Sequence, residues 1–296
     1  MNIVSFGNLS INYYIKDNIV KYISGGGRAE NILCNLSSSF NCKFIGYSCN
    51  DLLGKIARED LKNIDISNIK IIDGKTKINF IKKNLVSYIC PYCNREYHYN
   101  TCEDVDYIIN NINEDDIIIV DSLDEFHLNV INNLNNKMIL DLSNEEELIN
   151  ISKEKFISIV NKFKFINIHD NCYRFIKSKY NVDSTDIFDL SNLDILIISK
   201  GKLGCDILYK DEFDERIIET PINQTNPCGD GEAFISSMIS SYLTDGIDIK
   251  TISKAYIKAA SFACEVIKNI TPRSHLMAPH EVDDYVECIC SKIIIK

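Results

Sequence analysis

Short apolar runs alternate along the chain with longer stretches that are compatible with helices. Residues 3–7 and 43–46 are apolar runs that end in glycine, and residues 27–39 between them can form a helix. Four more apolar runs follow, at residues 117–120, 138–142, 165–168 and 195–199. Helix-compatible stretches such as residues 145–163 lie between them. This alternation predicts a mainly parallel sheet with helices on both faces.

Two segments depart from the alternation. Strand-like runs at residues 77–81 and 85–89 have little helix between them, which predicts a small β appendage on the αβ core. From residue 231 onward apolar side chains recur at helical spacing, and a second helical stretch follows at residues 252–267. No internal repeat or low-complexity linker divides the chain, so we expect one domain that carries this appendage.

Composition and charge narrow the class of protein. The 296 residues are 45% hydrophobic and 25% charged, which is typical of globular proteins. The net charge of -10 is spread along the chain, which argues against binding to nucleic acid or to an anionic membrane. No apolar run approaches the ~20 residues of a membrane span. We therefore expect a cytoplasmic protein whose twelve cysteines are reduced thiols or metal ligands.

A turn with two glycines precedes the late amphipathic helix. It reads Asn226-Pro227-Cys228-Gly229-Asp230-Gly231-Glu232-Ala233-Phe234. Backbone N–H groups can converge there beside the positive end of the helix, so the turn can hold an anion. A carboxylate in the first helical turn could accept a proton from an attacking hydroxyl. The alternative is that the glycines only shape a tight turn and the carboxylates only complement the helix dipole.

A glycine triplet between the first strand and the first helix is the second candidate site. It reads Gly25-Gly26-Gly27-Arg28-Ala29-Glu30-Asn31. The amide of Asn31 can both donate and accept, which suits a polyhydroxylated ligand. In open αβ sheets, ligands bind at the carboxyl ends of the strands, which is where this segment is expected.

Taken in order, the motifs resemble those of the ribokinase-like (PfkB-type) carbohydrate kinases. The resemblance extends from residue 3 to about residue 267, and its specificity lies in the order and spacing of the motifs. The matching elements are Gly7-Asn8 after the first strand, Gly26 to Asn31, Ile45-Gly46 with Asp51 and Gly54, Asn167 to Asp170, Ser199 to Gly204, and Gly229 to Glu232.

The resemblance implies a Rossmann-like three-layer αβα sandwich over residues 1–296, with a small β lid from about residues 10–24 and 70–104. It further implies an ATP-dependent kinase that uses Mg²⁺ and transfers the γ-phosphoryl group to a hydroxyl of a sugar, nucleoside or related small molecule. The alternative is a catalytically weak or inactive relative that binds a nucleotide or ligand. By position, the resemblance assigns catalysis to Glu232, Gly229, Asp230 and Gly231, substrate binding to Asn12, Gly26, Gly27 and Asn31, and nucleotide or magnesium binding to Asn167, Asp170, Ser199, Gly201 and Gly204.

Three of these positions depart from the family pattern. The base is Glu232 instead of Asp, the fourth motif ends in Asp170 instead of Glu, and Asn12 stands where an Asp is expected. A glutamate places its carboxylate roughly 1 Å farther out, and a misplacement of that order can cost about 100-fold in rate. An amide at position 12 would suit a ligand that presents an acceptor or a negative charge.

Cysteines and a histidine cluster in the predicted lid. Cys90, Cys93, His98 and Cys102 have the spacing C-x₂-C-x₄-H-x₃-C, which predicts a structural Zn²⁺ with four protein ligands. The alternative is a set of unligated cysteines in a lid whose tyrosines pack on the substrate. Contact with a second subunit is another role for this segment, because lids of this family often take part in homodimers.

Overall fold

The structure, a computed structural model, describes residues 1–17, 19–82, 85–209, 212–216, 229–246, 249–266, 268–269 and 271–281. The strands in these ranges are β1 (Ile3–Asn8), β2 (Ser10–Lys16), β3 (Ile19–Gly25), β4 (Cys42–Cys49), β5 (Ile64–Ile72), β6 (Lys77–Lys82), β7 (Leu85–Ser87), β8 (Ile117–Val120), β9 (Lys137–Leu142), β10 (Phe165–His169), β11 (Ile195–Ser199), β12 (Cys205–Tyr209), β13 (Glu212–Arg216) and β14 (His280–Glu281). The α-helices are α1 (Arg28–Leu36), α2 (Leu52–Glu59), α3 (Val105–Asn110), α4 (Glu125–Asn132), α5 (Lys153–Val160), α6 (Asp170–Tyr180), α7 (Ser184–Asp189), α8 (Asp230–Thr244) and α9 (Ile249–Val266).

Most of the strands form one large sheet. Its order is β13-β12-β11-β10-β9-β8-β1-β4-β5, with parallel pairing from β5 to β11 and an antiparallel pair, β12 and β13, at one edge. The strands are buried on both faces: Ile3 belongs to one apolar core, and its neighbour Val4 belongs to the core on the other face. The predicted three-layer αβ fold is therefore confirmed.

The helix predicted over residues 145–163 is wrong as a single element. A 3₁₀ turn occupies Glu145–Leu148, and α5 begins only at Lys153. Two polar side chains account for the break, because each offers a separate helix start. Asn144 accepts the backbone N–H of Glu146 at 3.1 Å, and Ser152 accepts that of Lys155 at 3.2 Å.

A second, smaller sheet covers one side of the core. Its order is β14-β3-β2-β6-β7, so its strands come from residues 10–25, residues 77–87 and the carboxyl-terminal part of the chain. Tyr13 of β2 and Phe80 of β6 meet edge to face at 5.9 Å, and both belong to the apolar core beneath. The strand-like runs of the sequence therefore form a β lid, and β14 is an addition that the sequence analysis missed. None of the helices among the described residues combines the length and hydrophobicity of a membrane span.

Arg273 joins the carboxyl-terminal segment to the glycine triplet. Its side chain is 1% exposed, and it donates from Nε to Asn31 Oδ1 and from Nη2 to the carbonyl oxygen of Gly26, each at 2.8 Å. Nearby, Asp60 accepts the backbone N–H of Gly25 at 2.6 Å and lies 3.0 Å from His280 Nε2 in β14. The loop under the lid is thus held by side chains that are distant in sequence.

We expect Arg273→Met to lower the free energy of unfolding by about 2–6 kcal/mol, because the buried oxygens of Asn31 and Gly26 lose their donor at about 1–3 kcal/mol each. Urea denaturation measures the change. Arg174→Met is the matched control: its side chain is 74% exposed, and it pairs with Asp170 on the helix surface. The control should cost less than about 1 kcal/mol. Equal costs for the two variants would contradict the role given to Arg273.

Candidate active site

A large cavity lies between the lid and the carboxyl ends of the parallel strands. Its volume is about 950 Å³, and its lining includes Asn12, Gly27, Asn31 and the α8 start from Gly229 to Glu232. The two candidate sites of the sequence, about 200 residues apart, therefore face one cavity. Of the four predicted substrate residues, only Gly26 does not line this cavity. Its carbonyl oxygen accepts a hydrogen bond from Arg273.

The glycine turn opens α8 with a left-handed residue. Gly229 has φ +98°, and a Cβ there would lie 2.6 Å from Cβ of Pro272, so only glycine fits. The first bond within the helix runs from the N–H of Ala233 to the carbonyl of Gly229. The N–H groups before Ala233 therefore have no partner in the helix and can receive an anion. Residues 226–228, the beginning of this motif, lie outside the described residues.

Asp230 and Glu232 lie together in the first turn of α8. Both line the large cavity. Burial and then repulsion by Glu232 raise the pKa of Asp230, although the backbone N–H of Gly231 acts in the opposite direction. The Asp230 carboxyl group thus lies beside the backbone N–H of Gly231, one of the amides that would bind an anion at the start of α8.

A buried network that sequence analysis missed lies beside this turn. Arg28 on α1 donates a hydrogen bond to Asp141 Oδ2 and lies 2.8 Å from His169 Nε2. A guanidinium carries only donors, so His169 Nε2 accepts this bond. Asp141 is fully buried at the end of β9 and also accepts from Asn167 Nδ2 at 2.7 Å. The one signal in the sequence is an aspartate inside the otherwise apolar run of residues 138–142.

Arg28 and Asp141 both stay charged within this network. Burial alone would raise the pKa of Asp141, but the Arg28 guanidinium holds it well below its usual range. Burial would likewise lower the pKa of Arg28, but Asp141, and then Glu232, hold it above its ordinary value. The Nε atom of Arg28 is buried without a hydrogen-bond partner among the described residues. A permanent cation therefore lies in the cavity wall within electrostatic reach of Glu232.

A second polar group follows the end of β8. Asp121 Oδ2 accepts the backbone N–H of Ala29 at the start of α1, at 3.0 Å. Asp124 lies 2.8 Å from His127 Nδ1; burial would raise the pKa of Asp124, but His127 outweighs it and the pKa is about 2. Asp121, Asp124 and His127 line the large cavity, so this wall is rich in carboxylates. Its signal in the sequence is a pair of aspartates directly after an apolar run.

The side-chain amide of Asn12 already forms two hydrogen bonds within the lid. Its Oδ1 accepts from Asn79 at 2.9 Å, and its Nδ2 donates to the hydroxyl of Tyr14 at 3.2 Å. One amide hydrogen and one lone pair are left for a ligand. Asn12 therefore orders β2 against β6 as well as facing the cavity, and it is a weaker guide to the charge of the ligand than the sequence suggested.

A smaller cavity of about 200 Å³ adjoins the large one. The predicted nucleotide residues Ser199, Gly201 and Gly204 line it, together with apolar side chains of α8 and α9. The Ser199 hydroxyl is buried and has no hydrogen-bond partner among the described residues. His169, Asp230 and Gly231 line both cavities, so these three residues form the boundary between them.

The fourth motif is only partly in place. Asn167 is fully buried, and its Oδ1 has no hydrogen-bond partner among the described residues. Asp170 lines neither cavity, because it begins α6 and pairs with Arg174 one turn later at 2.7 Å. Its neighbour His169 ends β10 and faces both cavities instead. The residue of this motif that reaches the site is therefore one position earlier than predicted.

The structure does not bring the predicted zinc ligands together. Cys90 is buried in the core beneath the lid, and Cys93 packs against the same core. Cys102 packs against the core on the opposite face of the main sheet, where its backbone is bonded to Asn8. All four candidates, including His98, lie within the described residues, and no three of them are close enough to hold a metal ion. The spacing in the sequence did not reveal that Cys90 and Cys93 pack in one apolar core and Cys102 packs against the other.

The comparisons with known proteins yield structures but no sequence relatives. No family model matches the chain, and no curated protein does. The nucleoside kinase of Methanocaldococcus jannaschii, described as an archaeal member of the ribokinase family, has a TM-score of 0.68 and 18% identity over 94% of this chain and 95% of its own. Fructokinase of Vibrio cholerae O395, bound to fructose, ADP and calcium ion, has a TM-score of 0.70 and 13% identity over 94% and 96%. Aminoimidazole riboside kinase of Salmonella enterica has a TM-score of 0.69 and 12% identity over 93% and 97%.

These similarities extend over nearly the full length of each chain. The chain therefore has the ribokinase fold, as its motifs predicted.

Proposed function

We propose that the protein is an ATP-dependent kinase that transfers the γ-phosphoryl group to a hydroxyl of a sugar, nucleoside or related small molecule. One observation supports this most strongly: the large polar cavity and the smaller apolar cavity meet at His169, Asp230 and Gly231, beside the start of α8. An acceptor alcohol on one side and a nucleotide on the other would meet at a helix N-terminus, where phosphate groups bind well. Solved structures of this fold with fructose and ADP, or with ATP, support the same assignment.

The reaction requires a proton acceptor beside the alcohol. Glu232 would accept the hydroxyl proton while the acceptor oxygen forms its bond to phosphorus and the bond to the ADP oxygen breaks. The N–H groups at the start of α8 would receive the negative oxygens of the transferred group. Arg28 adds a fixed positive charge in the cavity wall near Glu232.

The smaller cavity fits the nucleoside part of ATP. Phe234, Ile235 and Ala260 offer apolar surface for a base, and the unpartnered hydroxyl of Ser199 offers a hydrogen bond. Mg²⁺, when bound with ATP, neutralises phosphate charge, and the carboxylate of Asp230, which lines both cavities, is the kind of hard oxygen donor that it prefers. The donors present therefore fit both groups.

Coupled detection of ADP with a panel of sugars, nucleosides and amino alcohols tests the proposal. We expect Mg²⁺-dependent ADP formation that rises at least tenfold above the rate without acceptor for one class of alcohol. Thermal shifts with ATP or an alcohol, but no ADP with any acceptor, would favour the catalytically inactive relative instead. The homodimer through the lid and the cytoplasmic location stay predictions from the sequence.

A further inference from the structure

Glu30 is a buried carboxylate in the wall of the large cavity. It lies on α1, is 6% exposed, and accepts no hydrogen bond from another described residue. Its Oε2 lies over the backbone of Gly27, where a Cβ would be only 1.8 Å away. The sequence therefore has glycine at position 27 where this carboxylate folds back toward the start of the helix.

Asp121 brings a second negative charge to the same place. It accepts the N–H of Ala29 at the start of α1, and its charge acts on Glu30. Burial first, and repulsion by Asp121 second, raise the pKa of Glu30 to about 7, against the attraction of its own N–H, Arg273 and Lys77. The neighbouring cations thus compensate the two carboxylates only in part.

The lining of the large cavity as a whole also carries more negative than positive side chains. Within the described residues, eight carboxyl side chains line the cavity against two permanent cations, Arg28 and Lys77. Arg28 already pairs with Asp141, and the ammonium group of Lys77 lies 5.1 Å from the ring centre of Tyr88. Complementing the dipole of α1 would explain one carboxylate at the helix start, and Asp121 already serves that role. The helix dipole does not explain the second carboxylate, Glu30, whose burial disfavours its charged form.

We propose that Glu30 and Asp121 form a subsite for an ammonium group, so that the acceptor is an amine-bearing alcohol such as an amino sugar. This inference rests on the proposed function for the reacting hydroxyl and adds how the acceptor is recognised. A cation placed between the two carboxylates would relieve their repulsion, whereas a neutral hydroxyl could only accept or donate a hydrogen bond.

Isothermal titration calorimetry without ATP, at pH 7.5, tests the subsite with matched pairs of alcohols. The pairs are D-glucosamine with D-glucose, glucamine with D-glucitol, and isoglucosamine with D-fructose. We expect the amine of at least one pair to bind tenfold or more tightly than its neutral partner. Glu30→Gln, which keeps the size of the side chain, should remove this preference. Glu145→Gln changes an exposed carboxyl that lines neither cavity and should retain it.

The pH dependence provides a second readout. Lowering the pH from 7.5 to 6 protonates Glu30, so the preference for glucamine, whose alkylamine stays protonated over this range, should shrink in the wild type and stay absent in Glu30→Gln. The charged groups that act on the same carboxyl group are Asp121, Arg273 and Lys77. A pH-independent preference would overturn the assignment to Glu30.

Other outcomes separate the subsite from the kinase. Failure of every amine to bind, equal or tighter binding of the neutral partners, or an unchanged preference in Glu30→Gln would overturn the subsite. ADP formation that favours neutral alcohols would overturn it as well and leave the kinase in place. An amine that binds through Glu30 but yields no ADP would support the subsite and count against the kinase.

Discussion

Glu232→Gln is expected to lower kcat by about 10²–10⁴-fold, because glutamine keeps the shape of the side chain but cannot accept the hydroxyl proton. Binding of the acceptor and of ATP should change little, so KM and the thermal shifts with each ligand stay near the wild-type values. Steady-state ADP formation with the best alcohol of the panel measures the effect.

The control for this substitution is Glu145→Gln. Glu145 is exposed and lines neither cavity, so its variant should retain the wild-type kcat. If Glu232→Gln retained more than a tenth of the wild-type kcat, the carboxylate at position 232 would not be the base. Asp230, two positions earlier and also in the cavity wall, would then be the next residue to test.

Asp141→Asn is expected to lower the free energy of unfolding by about 1.5–3 kcal/mol at neutral pH, since it removes the charged hydrogen-bond partner of Arg28, whose side chain is 28% exposed. Asp141 is 0% exposed and holds Arg28, His169 and Asn167 in one network. Urea denaturation measures the loss. The matched control is Asp104→Asn on an exposed pair with Lys70 at 3.9 Å, where asparagine still caps α3 and the cost should be below about 1 kcal/mol.

The cost of Asp141→Asn should depend on pH in one direction. In the folded protein the pKa of Asp141 lies below its value of about 3.9 in the unfolded chain, so its ionised form stabilises the fold above that pH. This contribution is lost as the pH falls through the lower pKa of the folded state. The difference between wild type and variant should therefore shrink below about pH 4. A difference that stays constant from pH 7 to pH 3 would show that the ion pair is not its source.

Local patterns predicted the strands and the two glycine segments because these features depend on near neighbours. Each strand of the sheet center is a short apolar run, since parallel strands are buried on both faces. The glycines at positions 27 and 229 have φ +92° and φ +98°, conformations that side chains rarely adopt. The order of such segments was enough to predict the fold and the two halves of the candidate site.

Local spacing misled where side chains divide between layers. The zinc prediction assumed that four residues within one short segment face one point, but Cys90 and Cys102 belong to cores on opposite faces of the main sheet. The long helix predicted over residues 145–163 failed for a similar reason. Its apolar positions suited one helix, and the hydrogen-bonding side chains of Asn144 and Ser152 divided it into two.

The sequence by itself determined the alternation of strands and helices, the glycine turn ahead of α8, and the presence of a carboxylate at position 232. Only the tertiary structure decided which charges meet. Arg28 and Asp141 are 113 positions apart, and Arg273 reaches Gly26 across 247 positions. No periodicity encodes such pairs, because they arise only when the fold brings the carboxyl ends of parallel strands to one edge of the sheet and the carboxyl-terminal segment packs against the first helix.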